Sequence, residues 1–269
     1  MIKNINGIDL YYELKGNLES KETIVFFNGV MASTNSWNYQ IPIFEKMNYK
    51  ILLHDFKGQL KSEKPKGPYS FKEHAYESKL LMDELDIKKV HIIGTSYGGE
   101  VALRFAIDYP QYVKSISIID SVSELDETLK YFLEGWKKLA ANKNGKDFFY
   151  GMMPSIYSNT FIKNNLKILD KRAEALEKIS KDYFEGQIEL YNTFLNDVEM
   201  TKELSKIKCP SLIICGEEDI LKPKKFSKII SDNISNSEYI TIPDCGHVAI
   251  FEKYKELNSI LLGFIIKNT

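Results

Sequence analysis

The chain is 269 residues long, 43% hydrophobic and 12% aromatic, enough to bury one large core. Its 36 basic and 37 acidic residues are interspersed and leave a net charge of −1, so no long-range field draws nucleic acid or an anionic membrane. Only Arg104 and Arg172 are arginines, so bidentate phosphate clamps are scarce and a highly charged substrate is not suggested.

No apolar run approaches the roughly 18 residues of a membrane span. The opening Met1-Ile2-Lys3-Asn4 moves into an alternating pattern without the apolar region of a signal peptide. Cys209, Cys215 and Cys245 lack metal-ligand spacing and read as reduced thiols, which points to the cytoplasm.

In chain order, residues 2–14 read as a hairpin strand with Gly16-Asn17 as the turn signal, and Thr23-Ile24-Val25-Phe26-Phe27 as a buried strand ending at Asn28-Gly29. A helical stretch over 36–47 follows, then a strand over 49–55 and a loop carrying Pro65 and Pro68. Residues 71–86 have helical periodicity, 90–94 form a strand, 97–109 a helix ending before Pro110, and 115–119 a strand. Strand and helix alternate, the signature of right-handed βαβ units and a mostly parallel sheet.

The alternation stops between Ser123 and Glu203, where only helical patterns occur. Leu125, Leu129, Phe132, Trp136 and Ala140 share one helical face. Ile162, Leu166, Leu169, Ala173 and Leu176 share another, and Phe184, Ile188, Tyr191, Leu195 and Val198 a third. Strands resume at 210–215 and 238–242, and a helix over 252–267 closes the chain. The spacing predicts an α/β core over 1–122 and 204–269, split by an all-helical cap over 123–203.

Gly94-Thr95-Ser96-Tyr97-Gly98-Gly99 matches G-x-S-x-G at a strand-to-helix turn, where a serine hydroxyl projects above the sheet. Serine needs a base to become nucleophilic. Of the four histidines, His54, His74 and His91 fall within or beside regular elements and read as structural, whereas His247 follows the last strand pattern in Asp244-Cys245-Gly246-His247. Active-site groups of an open α/β sheet collect at the carboxyl ends of its strands. The orienting acid is expected there too: Asp219, in Gly216-Glu217-Glu218-Asp219, with Asp120 as its competitor. The order Ser96, Asp219, His247 is the one this architecture uses.

Over nearly its whole length the sequence resembles the α/β-hydrolase superfamily, through Gly94–Gly99, Gly216–Asp219, Gly246-His247 and the segment from Asn28-Gly29-Val30 to Trp37. The resemblance implies a mostly parallel sheet flanked by helices, an oxyanion hole made by the backbone N–H groups of Val30 and Tyr97, and no metal or cofactor. Asn28 stands where the family usually has histidine, making the loop similar to that of an acyltransferase of rhamnolipid synthesis. Asp55-Phe56-Lys57-Gly58-Gln59-Leu60-Lys61-Ser62 carries Lys57 and Leu60 for the family's arginine and glycine. A serine elbow excludes the aspartate-dependent dehalogenases and epoxide hydrolases, and the missing H-G-G-P argues against proline iminopeptidases.

Phe148 to Met153 is a dense apolar run of the type that lines pockets. Asn28, Trp136, Phe149, Met152, Met153 and Val248 are the expected pocket residues. The reading is a serine hydrolase, monomeric or dimeric, acting on a small or medium, partly apolar carboxylic ester or related acyl compound. An acyltransferase, a lyase and a ligand-binding signalling protein on the same fold are the alternatives.

Overall fold

The computed structural model describes residues 1–269. The first part holds β1 (Ile2–Ile5), β2 (Ile8–Gly16), β3 (Thr23–Phe27), α1 (Ile41–Lys46), β4 (Lys50–His54) and α2 (Phe71–Glu84). Next come β5 (Val90–Thr95), α3 (Tyr97–Asp108) and β6 (Val113–Ile119). Four helices follow without a strand: α4 (Glu127–Ala141), α5 (Gly145–Ile156), α6 (Asn159–Glu177) and α7 (Asp182–Asp197). The chain then returns to the sheet with β7 (Ser211–Gly216), α8 (Lys224–Asn233), β8 (Ser237–Ile242), α9 (Ala249–Glu252) and α10 (Tyr254–Lys267).

The eight strands form one sheet in the order β1-β2-β4-β3-β5-β6-β7-β8. The β1–β2 and β2–β4 pairs are antiparallel, and the rest are parallel. Every residue of β3, β5 and β7 is buried, as expected for central strands covered on both faces. One core cluster fills the α2–α3 side and continues under the helical insertion, while a second lies between the sheet, α1 and α10.

Register decides where the loops emerge. Phe27 pairs with Gly94, Thr95 with Ile119, Ile119 with Ile214, and Gly216 with Ile242. The segments after β3, β5, β6, β7 and β8 therefore leave the sheet at one edge, side by side. Asn28, Ser96, Asp120, Asp219 and His247 all belong to those segments.

The insertion has its own local start signals. Asp126, Asn144 and Ser158 cap α4, α5 and α6 by accepting the N–H of Leu129, Asp147 and Phe161. Such caps satisfy orphan N–H groups that the helix cannot. The insertion is also fastened to the core at tight points. A Cβ at Gly186 of α7 would lie 2.2 Å from the Gly58 carbonyl oxygen, so the helix backbone touches the loop after β4 directly.

Three local expectations change. The first hairpin turns at Asn6-Gly7 and not at Gly16-Asn17, and both Asn6 and Gly7 have positive φ (54° and 83°), as a two-residue hairpin turn requires. The 36–47 stretch is a short 3-10 turn, Thr34–Trp37, followed by α1. Leu166 is exposed, because Asn165 breaks the helical backbone (φ −128°, ψ 21°) and shifts the phase of the apolar face. No helix is long and apolar enough to cross a membrane.

Candidate active site

Ser96 sits between β5 and α3 with φ 50° and ψ −122°, a region that non-glycine residues avoid. The neighbouring glycines permit this turn: a Cβ at Gly94 would meet the Gly98 carbonyl oxygen at 2.4 Å, and one at Gly98 would meet that of Phe27 at 2.1 Å. Serine is a favoured N-cap, yet the Ser96 side chain makes no capping bond to α3. Its Oγ lies instead 2.9 Å from His247 Nε2.

His247 Nδ1 lies 2.8 Å from Asp219 Oδ2. Asp219 Oδ1 accepts the backbone N–H groups of Leu221 and Lys222, each at 2.9 Å. The carboxylate is thus held by three bonds, two from a turn to Oδ1 and one from the imidazole to Oδ2. Both Asp219 and His247 are buried, at 4% and 5% exposure, so their bond faces little competition from water.

Asp120 is one strand away and does not reach the imidazole. Its Oδ1 accepts the Gly216 N–H at 2.7 Å, and Oδ2 is 3.5 Å from the Ala249 nitrogen. Burial, with the adjacent Asp219 charge, pushes its carboxyl well above the usual range. Asp120 holds the start of the loop that carries Asp219. Asp120, Cys215 and Asp219 lie close enough together to share a cation. Their carboxylate oxygens are already committed to N–H donors and to His247, and burial pushes the Cys215 thiol up, away from the thiolate a metal needs.

The His247 loop is set by the insertion as well as by the sheet. The His247 N–H donates to the Ile156 carbonyl at the end of α5 (2.8 Å). Glu252 accepts from the Gly246 N–H (3.2 Å) and from the Ser158 hydroxyl (2.6 Å). A Cβ on Gly246 would come within 2.5 Å of the Ser158 nitrogen, so glycine here permits the insertion to approach.

The loop after β3 runs past Ser96, with Gly29 placed so that a Cβ would touch the Ser96 Cβ at 3.5 Å. The Val30 N–H has no acceptor within the chain. The Tyr97 N–H is the first of α3, where helical N–H groups have no internal partner and the helix end is positive. Gln59 Nε2 and Gln187 Nε2 fix this loop through the carbonyls of Gly29 (2.8 Å) and Val30 (3.2 Å).

Ser96 and His247 open onto a cavity of about 500 Å³ under the insertion. Trp136, Phe149, Met152, Met153 and Val248 all line it. Asn28 does not, which corrects the expectation for that residue. It is wholly buried behind the loop that follows β3. Its Nδ2 is 2.8 Å from the His54 carbonyl and 3.1 Å from both Asp55 Oδ1 and Gln59 Oε1, and its Oδ1 accepts from Trp37 Nε1 at 2.8 Å. Histidine could not make this set of bonds, so the departure from the family pattern is absorbed by a buried network. Arg172, which also lines the cavity, escaped the sequence reading: helical spacing says nothing about which loop the helix will face.

Residues 22–254 match the alpha/beta hydrolase fold family, and the chain belongs to it. A solved α/β hydrolase, MGS-M2 from a Medee basin deep-sea metagenome, is 32% identical and superposes with a TM-score of 0.93 over 98% of this chain and 97% of that one. The "Putative carbamate hydrolase RutD" of Stutzerimonas stutzeri (strain A1501) is 28% identical over 261 residues, 95% of this chain and 96% of its own. The proline iminopeptidase of Lactobacillus crispatus (strain ST1) is 24% identical over 278 residues, 95% of this chain and 94% of its own. The chain is thus an α/β-hydrolase, and the names of its relatives differ in the compound they specify.

Proposed function

We propose that the protein is a carboxylesterase-type serine hydrolase, with Ser96 as nucleophile, His247 as general base and acid, and Asp219 as the group that orients His247. The carrying observation is the continuous series Ser96 Oγ–His247 Nε2 (2.9 Å) and His247 Nδ1–Asp219 Oδ2 (2.8 Å) at the floor of an apolar cavity. In this reading 123–203 is a cap over a core of 1–122 and 204–269.

Ser96 Oγ attacks the scissile carbonyl carbon as its proton passes to His247 Nε2. The resulting oxyanion is held by the N–H groups of Val30 and Tyr97, an interaction that strengthens as charge develops. Collapse breaks the bond to the leaving group, which takes the proton from His247. Water then attacks the acyl-enzyme, giving its proton to His247, and the acid departs as Ser96 is reprotonated. A cavity of about 500 Å³ suits a small or medium ester.

The test is intact-protein mass spectrometry after exposure to a fluorophosphonate, with Ser96→Ala as control, followed by turnover of p-nitrophenyl esters. One adduct on the native protein and none on the variant supports the reading. No adduct on folded protein overturns it in favour of a lyase or a ligand-binding protein, and acyl transfer to an added alcohol in preference to water identifies an acyltransferase.

A further inference from the structure

The cavity lining contains a single permanently charged side chain, Arg172, and no aspartate, glutamate or lysine. Arg172 is half-buried, so its charge is partly withdrawn from water and an anionic partner inside the cavity would answer it. The other arginine of the molecule shows the usual answer: Arg104 is paired with Asp108 at 2.5 Å and Glu203 at 2.8 Å. Arg172 has no carboxylate oxygen within 4.0 Å.

The guanidinium is nonetheless held in place. Nη1 donates to the Tyr157 hydroxyl at 2.5 Å, and the group lies over the Phe251 ring, 4.3 Å from its centroid. That single bond uses one of five N–H donors, and the others have no protein acceptor. The nearby acid Glu252 is spoken for by the Ser158 N–H and hydroxyl and by the Gly246 N–H. Arg172 also borders an open cleft, where Asp244, Glu252 and Glu256 face Lys253 and Lys255 and leave no excess positive charge beyond its own, whereas on the Ser96 side Arg172 is the one charge and no acid opposes it.

We propose that Arg172 binds a carboxylate of the substrate, so that the compound cleaved at Ser96 is an acyl compound bearing a carboxylate at a distance from its scissile carbonyl. This rests on the assignment of Ser96 as nucleophile and narrows the substrate class within it. A planar carboxylate matches the fork of donors that Tyr157 and Phe251 hold fixed. One anionic end in an otherwise apolar cavity gives the substrate a single orientation.

The experiment compares two matched pairs: mono-p-nitrophenyl glutarate against its methyl ester, and O-acetyl lactate against its methyl ester. They place the carboxylate on the acyl and alcohol sides respectively. In at least one pair the carboxylate form is expected to have the higher kcat/KM, by about tenfold or more. Arg172→Gln should erase that preference mainly through KM, and Arg172→Lys should keep part of it. Equal or reversed preference in both pairs, or a preference that survives Arg172→Gln in a protein of native melting temperature, overturns the proposal.

Binding of mono-p-nitrophenyl glutarate to Ser96→Ala protein, measured by calorimetry with and without Arg172→Gln, separates the two readings. Arginine-dependent binding with no turnover and no fluorophosphonate adduct on native protein keeps the anion site and removes the nucleophile. Turnover of neutral esters with arginine-independent binding does the reverse.

Discussion

Lys222 Nζ lies 3.0 and 2.9 Å from the two carboxylate oxygens of Glu100, a buried ion pair that ties the Asp219 loop to the first turn of α3, the helix that begins after Ser96. The Lys222 backbone N–H at the same time donates to Asp219 Oδ1. One residue thus fixes Asp219 and holds its loop against the helix that follows Ser96. Burial raises the Glu100 carboxyl, and the Lys222 charge opposes that rise.

Lys222→Met is therefore expected to destabilise the fold by about 3–5 kcal/mol, because it leaves a carboxylate buried without its cation. Lys222→Met combined with Glu100→Gln should recover much of the loss. Urea denaturation of the three proteins checks this, and equal stability of the single variant and the native chain would show that the pair contributes nothing.

Asp219 bonds the His247 imidazole and Asp120 bonds backbone N–H groups, so their amide variants should separate in rate. Asp219→Asn takes away the acceptor of His247 Nδ1, and a drop in kcat of roughly 10⁴-fold is expected from loss of the correct tautomer. Asp120→Asn keeps an acceptor for the Gly216 N–H and mimics a carboxyl already pushed up by burial, so kcat should stay within about tenfold. Equal losses in steady-state assays would reinstate Asp120 as the acid.

Asn28→Ala removes the acceptor of Trp37 Nε1 and a donor to Gln59 and Asp55, all buried. A loss of about 1–3 kcal/mol is expected from the stranded partners. Since Asn28 does not line the cavity but braces the loop proposed to hold the oxyanion, kcat should fall while KM barely moves. A rise in KM alone would return Asn28 to the pocket.

Burial lowers the His54 imidazole from 6.5 to about 4. The unfolded chain then binds this proton more readily than the folded one between those two values. The neutral ring's contribution is fully present above pH 6.5 and is lost as pH falls through 4, an amount of about 3 kcal/mol. His54→Gln should flatten the stability–pH curve across that window, as measured by urea denaturation at a series of pH values. Parallel curves for the two proteins would show that His54 does not carry the effect.

Much of this molecule is legible in local pattern. The runs at 23–27, 90–94 and 211–215 are apolar throughout because central parallel strands are covered on both faces, and that fact is written in adjacent residues. Gly94, Ser96 and Gly98 are likewise local: the strained turn exists because the Cβ atoms that would obstruct it are missing. The hairpin turn at Asn6-Gly7 is equally local, an Asn-Gly pair between Ile5 and Ile8, which pair across it.

What tertiary structure alone decided are the choices among residues that share a pattern. Asp120 and Asp219 both follow strands, and only the pairing of β6 with β7, plus the turn at Leu221 and Lys222, aims Asp219 at His247. Asn28 opens the loop that follows β3, yet its side chain turns into the core, because Trp37, His54 and Gln59 meet it there from three different segments. Arg172 is one cation on a helix otherwise rich in lysine, and it becomes a wall of the cavity only when α6 folds back over Val248 and Phe251. Hydrophobic periodicity determines which elements form and which face is buried, since those depend on neighbours a few residues apart. Which side chain meets which depends on contacts across the chain, and those exist only once the sheet has closed its register.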